Sequence, residues 1–278
     1  MPRIERLKNT VIETGKKLYR EHTIQQNTKA MLDARSVWAG AAKNVKGGDV
    51  IKDLTYNDNH FLVQNTNVTL QYVANSLKFP IQAGQRARID LPVDGIPKWT
   101  DDEWVVNLWV APEQYINADS TTNCIFTIGN MGGWSFLNAM CAFNVQTAAG
   151  SLTTPTFLRF AARGNGFDIS DAESLGWFTA SASLKPVLVS VHCKVDATQT
   201  TASIYLNNKL KANRTVNNAT TTIANNMNSL NSPDVGHYST HIAGRYCRYR
   251  FDKIVSGGIS ASDLIALEYN EYKNIFIS

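Results

Sequence analysis

The 278-residue chain is short of charge: Asp, Glu, Lys and Arg make up 18% of it, where an average soluble domain has about a quarter. It contains no run of 18 consecutive apolar residues, which excludes a membrane-spanning helix. Its first 30 residues are polar and charged and lack the apolar stretch of a secretory signal. The four cysteines, Cys124, Cys141, Cys193 and Cys247, form no C-x-x-C pair, so a zinc knuckle and a thioredoxin-like redox motif are both excluded. Cys193 and Cys247 sit inside apolar β patterns and read as buried free thiols, which fits assembly in a reducing cytoplasm. No G-x-S-x-G is present, and Gly164-Asn-Gly166 lacks the lysine and third glycine of a phosphate loop. His192 and Cys193 are neighbours in a strand pattern, so they point to opposite faces and cannot act as a dyad.

What is present is enough to build a core. The chain is 44% hydrophobic and 10% aromatic, which excludes wholesale disorder. Asn and Thr, at 26 and 24 residues, take the place of the missing charges. Thr favours strands and Asn favours turns. The net charge of +4 is uneven: residues 1–46 carry ten Lys/Arg and four Asp/Glu, leaving 17 against 19 for residues 47–278. The main domain is therefore slightly acidic, and nucleic-acid binding by it has no electrostatic support.

The sequence divides at Lys46-Gly47-Gly48-Asp49. Residues 3–45 contain no proline and are rich in the helix formers Lys, Arg, Gln, Ala and Leu. Ile4, Leu7, Val11 and Leu18 mark a thin apolar stripe, and Ile24, Met31, Trp38 and Val45 a second register. A stripe this thin beside a Gly-Gly hinge predicts a helix that assembles with copies of itself or another protein. A helix docked on its own domain is the alternative.

After Gly48 the pattern turns to short alternating segments. Val187–Val195 places Val187, Val189, Val191, Cys193 and Val195 on one face, and Thr201–Leu206 alternates likewise. Asn207-Asn208 supplies a turn. Further strands are expected at 68–74, 77–80, 86–91, 103–111, 123–128, 156–162 and 245–255. Ser260-Ala-Ser-Asp263 is a capping signal ahead of Leu264, Ile265 and Leu267, predicting a short helix near the C-terminus. Many short strands and few helices indicate an all-β antiparallel sandwich.

The order of segments resembles the laminin-G-like, concanavalin A-like jelly rolls over about residues 75–272. The resemblance is carried by Asn75-Ser-Leu-Lys-Phe79, Ala87–Pro92, Trp104–Val110, the hairpin ending Tyr205-Leu-Asn-Asn-Lys-Leu210, and Phe251–Val255 with the capped helix after it. Asn208 stands where that family usually has glycine. The resemblance implies two curved antiparallel sheets and a domain that binds carbohydrate or protein or cleaves glycans. A long polar helix ahead of an Asn/Thr-rich jelly roll also resembles bacteriophage tail-fibre or baseplate proteins. That implies a virion location, assembly in the host cytoplasm, a homotrimer, other virion proteins held through the N-terminal helix, and a host-surface carbohydrate as ligand.

Glycanases of this fold carry E-x-D-x-x-E on one strand, and retaining hydrolysis needs carboxyls about 5 Å apart. Neither Asp101-Asp102-Glu103, Asp168, Asp171 with Glu173, nor Glu268 with Glu271 has that pattern within a strand. The expectation is a non-enzymatic domain with no catalytic residues and no metal. Calcium, held by loop acids such as Asp119, Asp168 or Asp171, is the one cofactor the fold would admit. His237-x-x-x-His241 has ligand spacing, but its glycine-flanked context argues for loop histidines. The ligand-binding candidates are Trp134 and Trp177, which follow glycines in loops, together with Arg163, Asn165 and Asp168. Arg248 and Arg250 share a face with Tyr246 in the strand pattern, and are expected on a solvated sheet face or a subunit contact, with an anionic polysaccharide as the alternative.

Overall fold

The computed structural model describes residues 23–36, 44–55, 57–64, 69–73, 75–80, 88–115, 122–129, 139–218, 228–231, 239–240 and 242–277. In chain order the strands are β1 (Thr28–Asp33), β2 (Val50–Ile51), β3 (Phe61–Gln64), β4 (Gln71–Val73), β5 (Ser76–Phe79), β6 (Arg88–Asp90), β7 (Glu103–Tyr115), β8 (Thr122–Gly129) and β9 (Ala139–Thr147). They continue with β10 (Pro155–Ala162), β11 (Asn165–Ile169), β12 (Val187–Val195), β13 (Gln199–Leu206), β14 (Lys209–Asn217), β15 (Asn228–Leu230), β16 (Ser239–Thr240) and β17 (Ile242–Lys253). Helix α1 spans Ala172–Trp177 and α2 spans Ala261–Phe276.

The strands form two sheets. One runs β14-β13-β12-β7-β17, with β5 and then β4 along the first half of the β17 edge and β1 along its second half. The other runs β11-β10-β9-β8-β15-β6-β3-β2, and β16 lies parallel beside β8. Every other pairing among the described strands is antiparallel. One continuous core joins the sheets: Trp104, Val106, Leu108 and Val110 of β7 and Tyr249 of β17 pack with Phe143 of β9 and Phe160 of β10. The antiparallel sandwich expected from the alternation is therefore found.

The first sheet is buried on both faces. Trp109 and Leu188 point away from the main core and pack under Tyr272 and Phe276 of α2, while Val105 packs with Leu264 and Ile265. The helix starts where its cap predicts, with the Ser260 hydroxyl accepting from the Asp263 N–H. It is longer than expected, and its apolar side covers the centre of that sheet face, over β7, β12 and β17.

The helix expected over residues 1–46 gives way to a strand at Thr28–Asp33. Lys29, Ala30, Met31 and Leu32 are good helix formers, but pairing along β17 from Thr28↔Asp252 to Asp33↔Arg248 buries Ala30, Met31 and Leu32. Tertiary burial outweighs propensity here. Val45 bridges Leu70 within the sandwich and belongs to no helical seam. Ile4, Leu7, Val11, Leu18 and Trp38 lie outside the described residues. The long described helix is the C-terminal one.

A second correction concerns β17. The register slips between Tyr246 and Arg248, leaving Cys247 as an extra residue. Such a bulge resets the alternation. Tyr246 therefore faces the main core while Cys247 packs beside Trp109 on the α2 side. Arg248 and Arg250 are 1% and 0% exposed, so they are not on a solvated face.

Candidate ligand-binding site at the rim of the sandwich

Two turns at one end of the sandwich carry the site. The first joins β10 to β11: Arg163 (φ 46°) and Gly164 (φ 77°) are both left-handed between the paired residues Ala162 and Asn165. This is the two-residue geometry that fits the twist of a hairpin. The Arg163 N–H donates to the Met140 carbonyl at 2.7 Å, anchoring the turn to the start of β9. The Asn165 amide donates to the Arg163 carbonyl at 3.2 Å.

The second turn precedes β7. Asp101 accepts from the Lys98 N–H at 2.8 Å, its own N–H donates to the Lys98 carbonyl, and its carboxylate pairs with Lys253. That closes a turn with Trp99 near its tip, half-buried. The Arg163 guanidinium lies 5.2 Å from the centre of the Trp99 ring, within cation–π range. Trp104 is fully buried just inside and pairs across with Cys193, whose thiol the Arg163 charge reaches.

Among the described residues, three buried donors at this end have no hydrogen-bond partner: Trp99 Nε1, Trp104 Nε1 and Arg163 Nη1. Trp104 lies in the core behind the rim, whereas Trp99 and Arg163 are half-buried at it.

The other candidates are placed differently. Asp168 lies exposed on β11 and is held bidentately by Arg159, at 2.9 and 3.0 Å. Trp177 ends α1 and is half-buried, with the Lys209 and Lys211 ammonium groups 5.4 and 5.0 Å from its ring centre. Those lysines pair with Glu173, and Lys211 also with Asp171, the residue that caps α1. Trp177 therefore belongs to a clamp between α1 and β14. Arg163 and Asn165 come together in one turn, whereas Asp168 and Trp177 face other partners. Trp134, Asp119, His237 and His241 lie outside the described residues. Trp99 was missed by the sequence reading. Its signal was Pro97 and Asp101 on either side of it, a turn signature.

Several of the acids considered for hydrolysis are engaged in ion pairs. Glu103 meets His192 at 3.0 Å and Lys194 at 4.0 Å, and burial holds the His192 imidazole below its ordinary value despite that carboxylate. Glu268 is buried between Arg248 and Arg250. Among the described residues, no group of three His, Cys, Asp or Glu side chains is placed to hold a metal ion.

No family model matches this chain, and no curated protein matches it. Solved structures do. Trypanosoma rangeli sialidase in complex with sialic acid is similar at TM-score 0.56 and 13% identity, over 92% of this chain and 35% of the sialidase chain. The binding domain of botulinum neurotoxin serotype D/C VPI 5993 is similar at 0.55 and 12%, over 88% of this chain and 52% of that one. The binding domain of Paraclostridial Mosquitocidal Protein 1 follows at 0.50 and 10%, over 89% and 53%. The likeness establishes the fold. This chain spans about a third of the sialidase and about half of each toxin domain.

Proposed function

We propose that this chain is a non-enzymatic glycan-binding sandwich, of the concanavalin A-like kind, that takes its ligand at the Trp99–Arg163–Asn165 rim. The carrying observation is the half-buried indole of Trp99 beneath the Arg163 guanidinium, on the turn that also carries Asn165. A sugar offers an apolar C–H face for the indole and hydroxyl oxygens for polar side chains beside it. The engaged state of Asp101, Glu103, Asp168, Asp171, Glu173 and Glu268 supports binding without cleavage. Two neighbours add support: a sialidase is solved with sialic acid, and entry of botulinum neurotoxin type C depends on two ganglioside molecules.

In its fuller form the proposal places the chain in a phage tail fibre or baseplate. Residues 1–22 would drive assembly, as a homotrimer or onto other virion proteins, and the sandwich would face a host-surface carbohydrate. A purely structural virion subunit would use the same fold without a glycan ligand.

The test is a glycan panel probed with the full chain, its Trp99→Ala variant and the milder Trp99→Phe. Saturable binding that both substitutions weaken, with thermal unfolding of Trp99→Phe close to the parent, is the expected result. Equal binding by parent and variants would move the site elsewhere. Release of reducing sugar from a bound glycan would overturn the non-enzymatic reading.

A further inference from the structure

The arginines among the described residues divide into two groups. Arg35, Arg88, Arg159, Arg245, Arg248 and Arg250 each meet a carboxylate within 3.0 Å. Arg163 and Arg214 have no carboxylate partner among the described residues. These two flank the same four-residue stretch. Arg163 is in the β10–β11 turn, and Arg214 reaches across from β14 of the opposite sheet to donate Nη1 to the Gly166 carbonyl at 3.3 Å. Each guanidinium also lies over a ring that packs on or in the core, Arg163 over Trp99 at 5.2 Å and Arg214 over Phe167 at 5.5 Å.

A ring orients a guanidinium without neutralising it, and the one carbonyl that Arg214 meets leaves its charge and its other edge donors free. Asp168, the nearest acid in sequence, is committed to Arg159. The charged, exposed Arg214 and the half-exposed Arg163 therefore leave the Arg163–Gly166 stretch with two positive charges and no partner anion among the described residues. This holds although residues 47–278 as a whole carry a net −2. A domain acidic overall with an unneutralised arginine pair at its candidate rim is built to attract an anion there and to repel anions elsewhere.

We propose that the ligand is an acidic saccharide whose carboxylate is held by Arg163 and Arg214, with Asn165 beside them to meet a neighbouring hydroxyl. This rests on the glycan-binding reading and narrows it to carboxylate-bearing sugars. A guanidinium suits this role because its planar fork matches the two oxygens of a carboxylate.

The experiment is a titration of the full chain with 3′-sialyllactose, an oligogalacturonate and lactose, in low and high salt, repeated with Arg163→Gln and Arg214→Gln. The expected result is that one or both acidic sugars bind about tenfold or more tighter than lactose, the scale of a charge-assisted hydrogen bond. That preference falls as salt rises and disappears in Arg214→Gln, whose exposed side chain can be removed without loss of fold. Arg163→Gln gives the same loss. Equal binding of lactose and the acidic sugars overturns this inference and leaves the glycan reading standing, as does a preference that survives both substitutions. Absence of binding to these sugars and to the whole glycan panel overturns both.

Discussion

Asp33 on β1 and Arg248 on β17 meet at 2.6 Å, both fully buried, although 215 positions separate them in the chain. Arg248 also donates to Glu268 of α2 at 2.7 Å and to the Thr23 hydroxyl at 3.1 Å. Arg250 binds Asp252 at 2.6 Å and reaches Glu268 at 3.5 Å, and Trp109 Nε1 donates to Glu268 at 3.2 Å. The N-terminal strand β1 is thereby tied to β17 and α2 at the other end of the chain by one ionic network beneath α2.

Breaking that network should be expensive. Removing one partner of a buried ion pair leaves an uncompensated charge and costs about 3–5 kcal/mol. Glu268→Gln and Arg248→Met should each show that loss in urea unfolding. Arg159→Gln, which breaks a half-exposed pair, should cost less than about 1 kcal/mol. Similar losses for the buried and half-exposed variants would contradict this account.

The N-terminal strand should be indispensable. A chain beginning at residue 47 loses β1, and with it the buried Ala30, Met31 and Leu32 and the Asp33 carboxylate that faces Arg248. It should not show a cooperative thermal transition by circular dichroism. A melting point equal to that of the full chain would make residues 1–46 a separable unit after all.

Stability should depend on Asp33 in acid. Burial pushes its carboxyl up, but the Arg35 hydrogen bond and the Arg248 and Arg35 charges outweigh that and hold it below the ordinary 3.8. Its folded-state value is thus depressed, so its contribution is complete above about pH 4 and is lost as pH falls through the folded value. The full chain should lose stability more steeply than Asp33→Asn between about pH 4 and 2, read as the urea midpoint at each pH. Parallel curves would remove Asp33 from the network's energetics.

All four cysteines are buried as thiols outside any disulfide. Burial pushes Cys193 and Cys247 up to about 12 and Cys141 well above its ordinary value. Because the thiolate is the reactive form, an aromatic disulfide reagent should leave them untouched in the native chain at pH 8. In denaturant it should titrate four. Rapid native labelling of any of them would place that thiol at an opening in the fold.

Strands were legible where one face met the core and the other was polar. Val187–Val195 is the clearest case, and β12 has those bounds. The Asn207-Asn208 turn is left-handed at both residues, as its chemistry suggests. β9 was missed because its outward Ala142 and Asn144 are buried too, so the polar contrast vanishes. β1 was read as helix because nothing local reveals that β17 offers it an edge. The bulge at Cys247 left no sequence mark; it turned Arg248 and Arg250 from the face of Tyr246 to the α2 side, where β1 and α2 bury them. At the rim, Arg163 and Asn165 were legible as candidate ligand contacts. Trp99 and Arg214 were not, because only the packing of two sheets brings them to that turn.

The most direct test of the central claim is binding of the intact chain to immobilised bacterial surface polysaccharides and defined glycans, followed over a range of concentration. The account predicts saturable binding to one or more of them, lost on Trp99→Ala and weakened on Arg163→Gln. Absence of saturable binding across the panel would contradict it and leave a structural subunit, with the ionic network as its most consequential feature.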